Sequence, residues 1–162
     1  MIRRAETADL ERIRAVYRAA KDYMVRTGNP TQWEEGYPDC VLEGDIRREQ
    51  LYVLCDEGGI IHAAFVFAFG EDPTYTLIEE GSWTSSEPYG TIHRLGSDGV
   101  MGGVFARCLE FCKGTISHIR ADTHRDNKTM QHLLEKHGFT YRGIIYTDDG
   151  TPRLAYEYLA RI

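Results

Sequence analysis

Between Tyr89 and Phe105 the chain reads YGTIHRLGSDGVMGGVF, a β-rich run that enters a glycine-dense loop and opens directly into an amphipathic helix. Strand, glycine loop and helix start in that order leave few folds open, because they build a place for phosphate. Gly99, Gly102 and Gly103 let the backbone come close to a ligand, and the free N–H groups of the helix start, at its positive dipole end, favour an anion. The expected ligand is a phosphorylated cofactor. A helix start contributes only about 0.3–1 kcal/mol per exposed interaction, so several amides must converge on it.

The 162 residues fit a single domain, residues 1–162, with a core large enough to fold without staples. No apolar run approaches the roughly 20 residues that span a bilayer, and the first stretch, MIRRAETADLERIR, carries charges where a signal peptide needs its apolar segment. The expectation is a cytoplasmic protein with no membrane partner. Cys40, Cys55, Cys108 and Cys112 show no CxxC spacing and read as small core residues in a reducing compartment. A formal net charge of −6 argues against a nucleic-acid partner and favours a cationic or neutral substrate.

Periodicity supplies the element order. Ile2 to Ala5 is a short strand. Thr7 is placed to cap a helix whose buried face is Leu10, Ile13, Val16, Tyr17, Ala20 and Met24, closed by Gly28 and Pro30. A second helix is expected over 39–49. Strands Leu51 to Cys55 and Ile60 to Phe69 form a hairpin through Asp56-Glu57-Gly58-Gly59. A long connection, 70–90, precedes the strand Thr91 to Ser97 and a helix ended by Gly114. Ile116 to Asp122 is a strand, Asp126 a helix cap, and Gly138 that helix's end. Strands Tyr141 to Tyr146 and Arg153 to Leu159 flank the turn Asp148-Asp149-Gly150.

This order, with the glycine loop before the third helix, resembles the GNAT superfamily of acyl-CoA N-acyltransferases. The stretch Asn127 to Phe139, NKTMQHLLEKHGF, is similar to that family's fourth-helix signature ending in Gly-Phe. The resemblance covers nearly the whole chain. It implies a mixed α/β fold with a central, mostly antiparallel twisted sheet splayed between strands 4 and 5, flanked by about four helices. It also implies acetyl-CoA as cosubstrate, with its pantetheine arm in the gap between Ile92 to Ser97 and Ile116 to Asp122, bonded like an added strand. Carried over by position, Leu95, Gly96 and Ser97 meet pantetheine, and Gly99, Val100, Met101, Gly102, Gly103 and Val104 hold the pyrophosphate. Asn127 reaches the pantetheine arm and Lys136 the adenosine phosphates. Two departures stand out: no basic residue lies inside the loop, and Leu134 occupies the position where the family often has a tyrosine acid.

Acyl transfer to an amine needs a neutral nucleophile, an oriented thioester and donors facing the oxygen that gains charge. His93, on the splayed strand just before the thioester position, is the leading base, because histidine is the side chain suited to exchanging protons near neutral pH, with Glu79 and Glu80 as rivals. Tyr146 is a candidate acid. Asp122 and His124, at the end of the next strand, face the cleft mouth as substrate-binding candidates, without the spaced ligands of a metal site. Trp33, Tyr37, Tyr75, Trp83 and Tyr89 lie in the two long connections and are candidates for an aromatic wall around a small amine. Each of these residues also has an ordinary structural reading. The function implied is N-acetyl transfer to a primary amine of a small molecule or peptide in a ternary complex. The alternative is a non-catalytic acyl-CoA-binding or sensing domain. Homodimer formation through the C-terminal strand stays open.

Overall fold

In a computed structural model, which describes residues 1–160, seven strands form one sheet in the order β1-β2-β3-β4-β5-β7-β6. They are β1 (Ile2–Arg4), β2 (Leu51–Cys55), β3 (Ile61–Phe69), β4 (Gly90–Ser97), β5 (His118–Thr123), β6 (Thr140–Tyr146) and β7 (Pro152–Leu159). Every pairing is antiparallel except β4 with β5. The helices are α1 (Leu10–Arg26), α2 (Leu42–Arg47), α3 (Val104–Lys113) and α4 (Lys128–Lys136).

Alternation along β3 distributes the core. Ala64 and Val66 face α1 and α2, where they pack with Ile13, Val16, Tyr17 and Leu42. Ala63, Phe65 and Phe67 face the other side and meet Phe105, Cys108, Leu109 and Leu134 of α3 and α4. Such a strand, covered on both faces, reads as a continuous apolar run. Cys108 and Cys112 are core residues, and burial pushes the Cys108 thiol up to about 12.

Several local expectations are corrected. Thr7 opens a 3₁₀ turn, Thr7–Asp9, and the cap interaction runs from the Glu6 N–H to Asp9 Oδ2 at 2.8 Å. The α4 cap is Asn127, whose Oδ1 accepts from the Met130 N–H at 3.0 Å, while Asp126 donates its own N–H to His124 Nδ1. The second helix is split into a 3₁₀ turn, Asp39–Val41, and the six-residue α2. The C-terminal strand β7 lies between β5 and β6, so it has no free edge for a second copy. The outer edge of β6 is itself bridged, since Glu79 and Ile144 exchange backbone hydrogen bonds at 2.8 Å.

The sheet opens where the resemblance implies. Only Gly90, Thr91 and Ile92 pair with β5, against Ile119, Arg120 and Ala121, so β4 continues from His93 without a partner on that side. Gly96 lies under α1, where a Cβ would stand 2.9 Å from the Tyr17 ring, so only glycine lets the helix pack this close to the strand.

Candidate active site

A β-bulge shapes the end of β4. His93 pairs with Val66 and Gly96 with Ala64, so one extra residue is accommodated on β4, and Arg94 takes a left-handed conformation with φ 51°. For a side chain as large as arginine this costs on the order of 1–3 kcal/mol and persists only when surroundings over-determine it. They do so here. The Arg94 carbonyl accepts from Tyr17 Oη at 2.7 Å, its Nη2 donates to Asp45 Oδ2 at 2.7 Å, and its Nη1 donates to Tyr37 Oη at 3.1 Å. Asp45 is almost fully buried.

Beyond the bulge, Ser97 Oγ accepts the Gly99 N–H and Asp98 Oδ1 accepts the Val100 N–H, both at 3.0 Å. These bonds turn the chain so that Gly103, at φ 65°, caps α3. The first N–H groups of α3 have no intrahelical acceptors. A Cβ at Gly102 would meet nothing within 4 Å, so the loop leaves open space over these donors. This arrangement fits a pyrophosphate held by backbone amides. Behind the loop, Asp98 Oδ2 is bonded to Arg12 Nη2 and His62 Nδ1, each at 2.8 Å. Arg12, joined by His62 when its ring is protonated, offsets a carboxylate that would otherwise repel phosphate. His62 is raised above its usual pKa by its bonds to Asp98 and Asp56.

The gap between β4 and β5 contains a narrow cavity of about 40 Å³, bordered by Leu95, Phe105, Asn127, Met130 and Leu134. A larger one, about 460 Å³, lies beside it and includes Trp33, Tyr37, Asp72, His93, Asp122 and Ile145 in its wall. Gln32, Trp33, Arg94 and Asp122 border both. Carboxylates dominate the larger cavity, with Glu34, Asp148 and Asp149 joining Asp72 and Asp122, against Arg94 and Arg153.

His93 stands between two of those carboxylates. Its Nε2 is 2.9 Å from Asp72 Oδ2 and its Nδ1 is 3.9 Å from Asp122 Oδ1. Burial acts to raise the Asp72 carboxyl, but hydrogen bonds from His93 and Thr74 outweigh it and bring the group down to about 2. Ionised Asp72 can only accept, so neutral His93 carries its proton on Nε2 and leaves Nδ1 as the basic nitrogen. Tyr75 Oη donates to Asp122 Oδ1 at 2.6 Å and fixes the second carboxylate. An ammonium lying between Nδ1 and Asp122 would donate to both.

Other sequence candidates fall elsewhere. Glu80 is exposed at φ 56° and does not border the cavity. Tyr146 points away from it, since its neighbours Ile145 and Thr147 form the wall, and its hydroxyl donates to Glu79 Oε2 at 2.9 Å. Trp83 and Tyr89 lie behind the wall: Trp83 Nε1 donates to the Tyr75 carbonyl, and Tyr89 Oη accepts the Asp72 N–H. His124 is buried beside Thr31 and receives the Asp126 N–H, outside the cavity wall. Asn127 borders the gap, its Nδ2 donating to Gln32 Oε1 at 3.0 Å. Lys136 is exposed at the end of α4. The sequence reading missed Asp72, Asp45 and the role of Arg94. Asp72-Pro73-Thr74 did carry a turn signal, as Asp72 Oδ1 accepts the Thr74 N–H, but nothing local links it to a histidine 21 residues away.

No family model matches the chain, and no curated protein does. Solved structures do. A GNAT-family acetyltransferase from Streptococcus agalactiae 2603 is 29% identical, with 100% of this chain and 96% of that one covered and a TM-score of 0.88. This chain has the GNAT acyl-CoA N-acyltransferase fold. A GNAT-family acetyltransferase from Listeria monocytogenes 4b F2365 shares the fold at 18% identity, with 99% and 94% covered and a TM-score of 0.74. So does a GNAT phosphinothricin acetyltransferase from Sinorhizobium meliloti, solved in complex with AcCoA, at 14% identity, 98% and 87% coverage and a TM-score of 0.63. The Streptococcus agalactiae neighbour, at 29% identity, supports an acyltransferase function. Among the described residues no helix is long and apolar enough to cross a membrane.

Proposed function

We propose that this GNAT protein is an N-acetyltransferase that moves an acetyl group from acetyl-CoA to a primary amine of a small molecule or peptide, by direct attack within a ternary complex. The observation that carries the reading is the meeting of two cavities: an acidic one containing the His93–Asp72 pair, and the β4–β5 gap that begins beside it. The carboxylates draw a protonated amine in, and His93 Nδ1 takes one of its protons. Such assistance is typically worth about 10²–10⁴-fold. The freed nitrogen attacks the thioester carbonyl, the new C–N bond forms and the C–S bond breaks. CoA leaves as the thiol and one proton is released overall.

Pantetheine lies along the open edge of β4 at Leu95 to Ser97, where its amide groups complete the strand's hydrogen bonding. One of its carbonyls takes the Asn127 Nδ2 donor that Gln32 Oε1 uses in this structure. The pyrophosphate sits on the amides of Met101 to Val104. Leu134 is buried and apolar at the position of the family's tyrosine, and Tyr146 faces outward, so neither serves as acid. The proton taken by His93 is the one available to the departing thiolate. A reducing, cytoplasmic setting agrees with four free cysteines, three of them buried.

The test is calorimetric titration with acetyl-CoA of the wild-type protein and Gly102→Glu, whose side chain has room but sets a carboxylate against the pyrophosphate. Binding by the wild type and its loss in the variant are expected, followed by thiol release with members of an amine panel. A wild-type protein that binds no acetyl-CoA overturns the reading.

A further inference from the structure

Residues 70–89 deliver Asp72 and Tyr75 to the candidate base, yet their only regular structure is the 3₁₀ turn Pro73–Tyr75 and the bridge from Glu79 to Ile144. The segment is fastened instead around one cation. Alternation on β5 turns Ile119 and Ala121 toward α3 and α4, and leaves His118, Arg120 and Asp122 on the opposite face, beneath this segment. The Arg120 guanidinium lies 4.1 Å from the ring centroids of both Trp83 and Tyr89, and its Nη2 donates to the Ser85 carbonyl at 2.7 Å. A guanidinium plane between two aromatic faces is a favourable and directional contact, strengthened by exclusion of water. The counter-charge is Glu157 Oε2, 3.8 Å from Arg120 Nε and bonded to His118 Nε2 at 2.7 Å.

Each ring that grips Arg120 holds, at its polar end, one of the two residues that set the base. Tyr89 Oη accepts the Asp72 N–H at 2.8 Å, and Asp72 bonds His93. Trp83 Nε1 donates to the Tyr75 carbonyl at 2.9 Å, and Tyr75 bonds Asp122. We infer that Arg120 is a positioning residue for the His93–Asp72 base, acting through Tyr89 and Trp83 from outside the acceptor cavity. The inference rests on the proposed role of His93. Without the stacked guanidinium the two rings lose their common support, Asp72 shifts relative to His93, and the Nε2–H tautomer is no longer enforced.

The experiment is a double-mutant cycle on steady-state kinetics, measured as thiol release from acetyl-CoA with the fastest amine of a panel. Tyr89→Phe keeps the stacked ring and removes the hydroxyl acceptor, Arg120→Leu removes the cation, and Arg120→Lys keeps the charge without the plane. Each is made alone and with His93→Ala. The expected result is a fall in kcat of about 10- to 100-fold for the single variants with KM for acetyl-CoA unchanged, the scale on which small misplacements act. In the His93→Ala background the same changes produce no further fall. An equal fold-loss in both backgrounds, or a Tyr89→Phe protein with wild-type kcat, overturns the inference while leaving His93 in place as base. Wild-type kcat in His93→Ala overturns the reading of the base itself. Tyr89→Phe, which deletes one oxygen atom, keeps the test informative should Arg120→Leu not fold.

Discussion

His93 and Asp72 are coupled by one 2.9 Å hydrogen bond, and the chemistry of the pair follows from what each can donate. In Asp72→Asn an amide N–H can face Nε2, which moves the histidine proton to Nδ1 and removes the basic nitrogen from the cavity. Both His93→Ala and Asp72→Asn are therefore expected to lower kcat by about 10²–10⁴-fold while calorimetric acetyl-CoA affinity stays within twofold or so. Undiminished turnover in either variant would remove the pair from the mechanism. The Asp72 carboxyl also links folding to pH. Its folded value, about 2, lies below the ordinary 3.8, so it contributes stability that is fully present above about pH 4 and is lost as pH falls toward 2. Urea midpoints measured across that window should drop less steeply for Asp72→Asn than for the wild type. Asp45 answers to a different rule, because its removal strands a cation. Asp45→Ala leaves the largely buried Arg94 guanidinium without its 2.7 Å partner, and chemical denaturation should register a loss of roughly 3–5 kcal/mol.

At the scale of elements, the phosphate loop and the helix behind it behave as one unit. Gly99 and Val100 spend their N–H groups on Ser97 Oγ and Asp98 Oδ1, so the amides left for a ligand begin near Met101, just before α3. Asp98 makes this geometry and also brings a negative charge, which Arg12 and His62 offset from behind. His62 has a raised pKa, so it is protonated at lower pH and loses its charge as pH rises through that value. Arg12→Gln is expected to weaken acetyl-CoA binding several-fold, and more at a pH above the raised His62 titration than at one below it, since above it neither cation remains beside Asp98. Titration calorimetry at the two pH values measures this directly. An identical loss at both would show that His62 takes no part.

Across the whole molecule, part of the net charge of −6 falls where it matters for encounter, because five carboxylates and two guanidinium groups border the larger cavity and Arg94 is already paired with Asp45. For a cationic amine, kcat/KM should fall as ionic strength rises, while a neutral analogue should show a flat response. Much of this architecture was legible in the chain itself. The alternation of β3, the helical spacing of α1 and the glycine loop before α3 are local patterns, imposed by the period of each element and by the backbone freedom of glycine, and they fixed the element order, while the splay of the sheet was implied by the family resemblance that this order carries. His93 and Asp122 were placed near the gap through that resemblance; strand alternation put His93 on one face with Thr91 and Leu95 but did not say that this face meets the cleft. What local pattern could not supply was every contact made across long stretches of chain. The Asp72–His93 bond and the stack of Trp83, Arg120 and Tyr89 depend on how the segment 70–89 folds over β5, and the Arg94–Asp45 latch depends on how α2 packs against β4. Tyr146 lies one residue out of step with the cavity-facing Ile145 and Thr147, and Glu80 sits on a stretch of the 70–89 segment that does not border the cavity. The sequence determined the frame, because periodicity and turn chemistry act over a few residues; the tertiary structure alone decided which polar groups meet, because burial makes their hydrogen bonds obligatory only after the frame has closed.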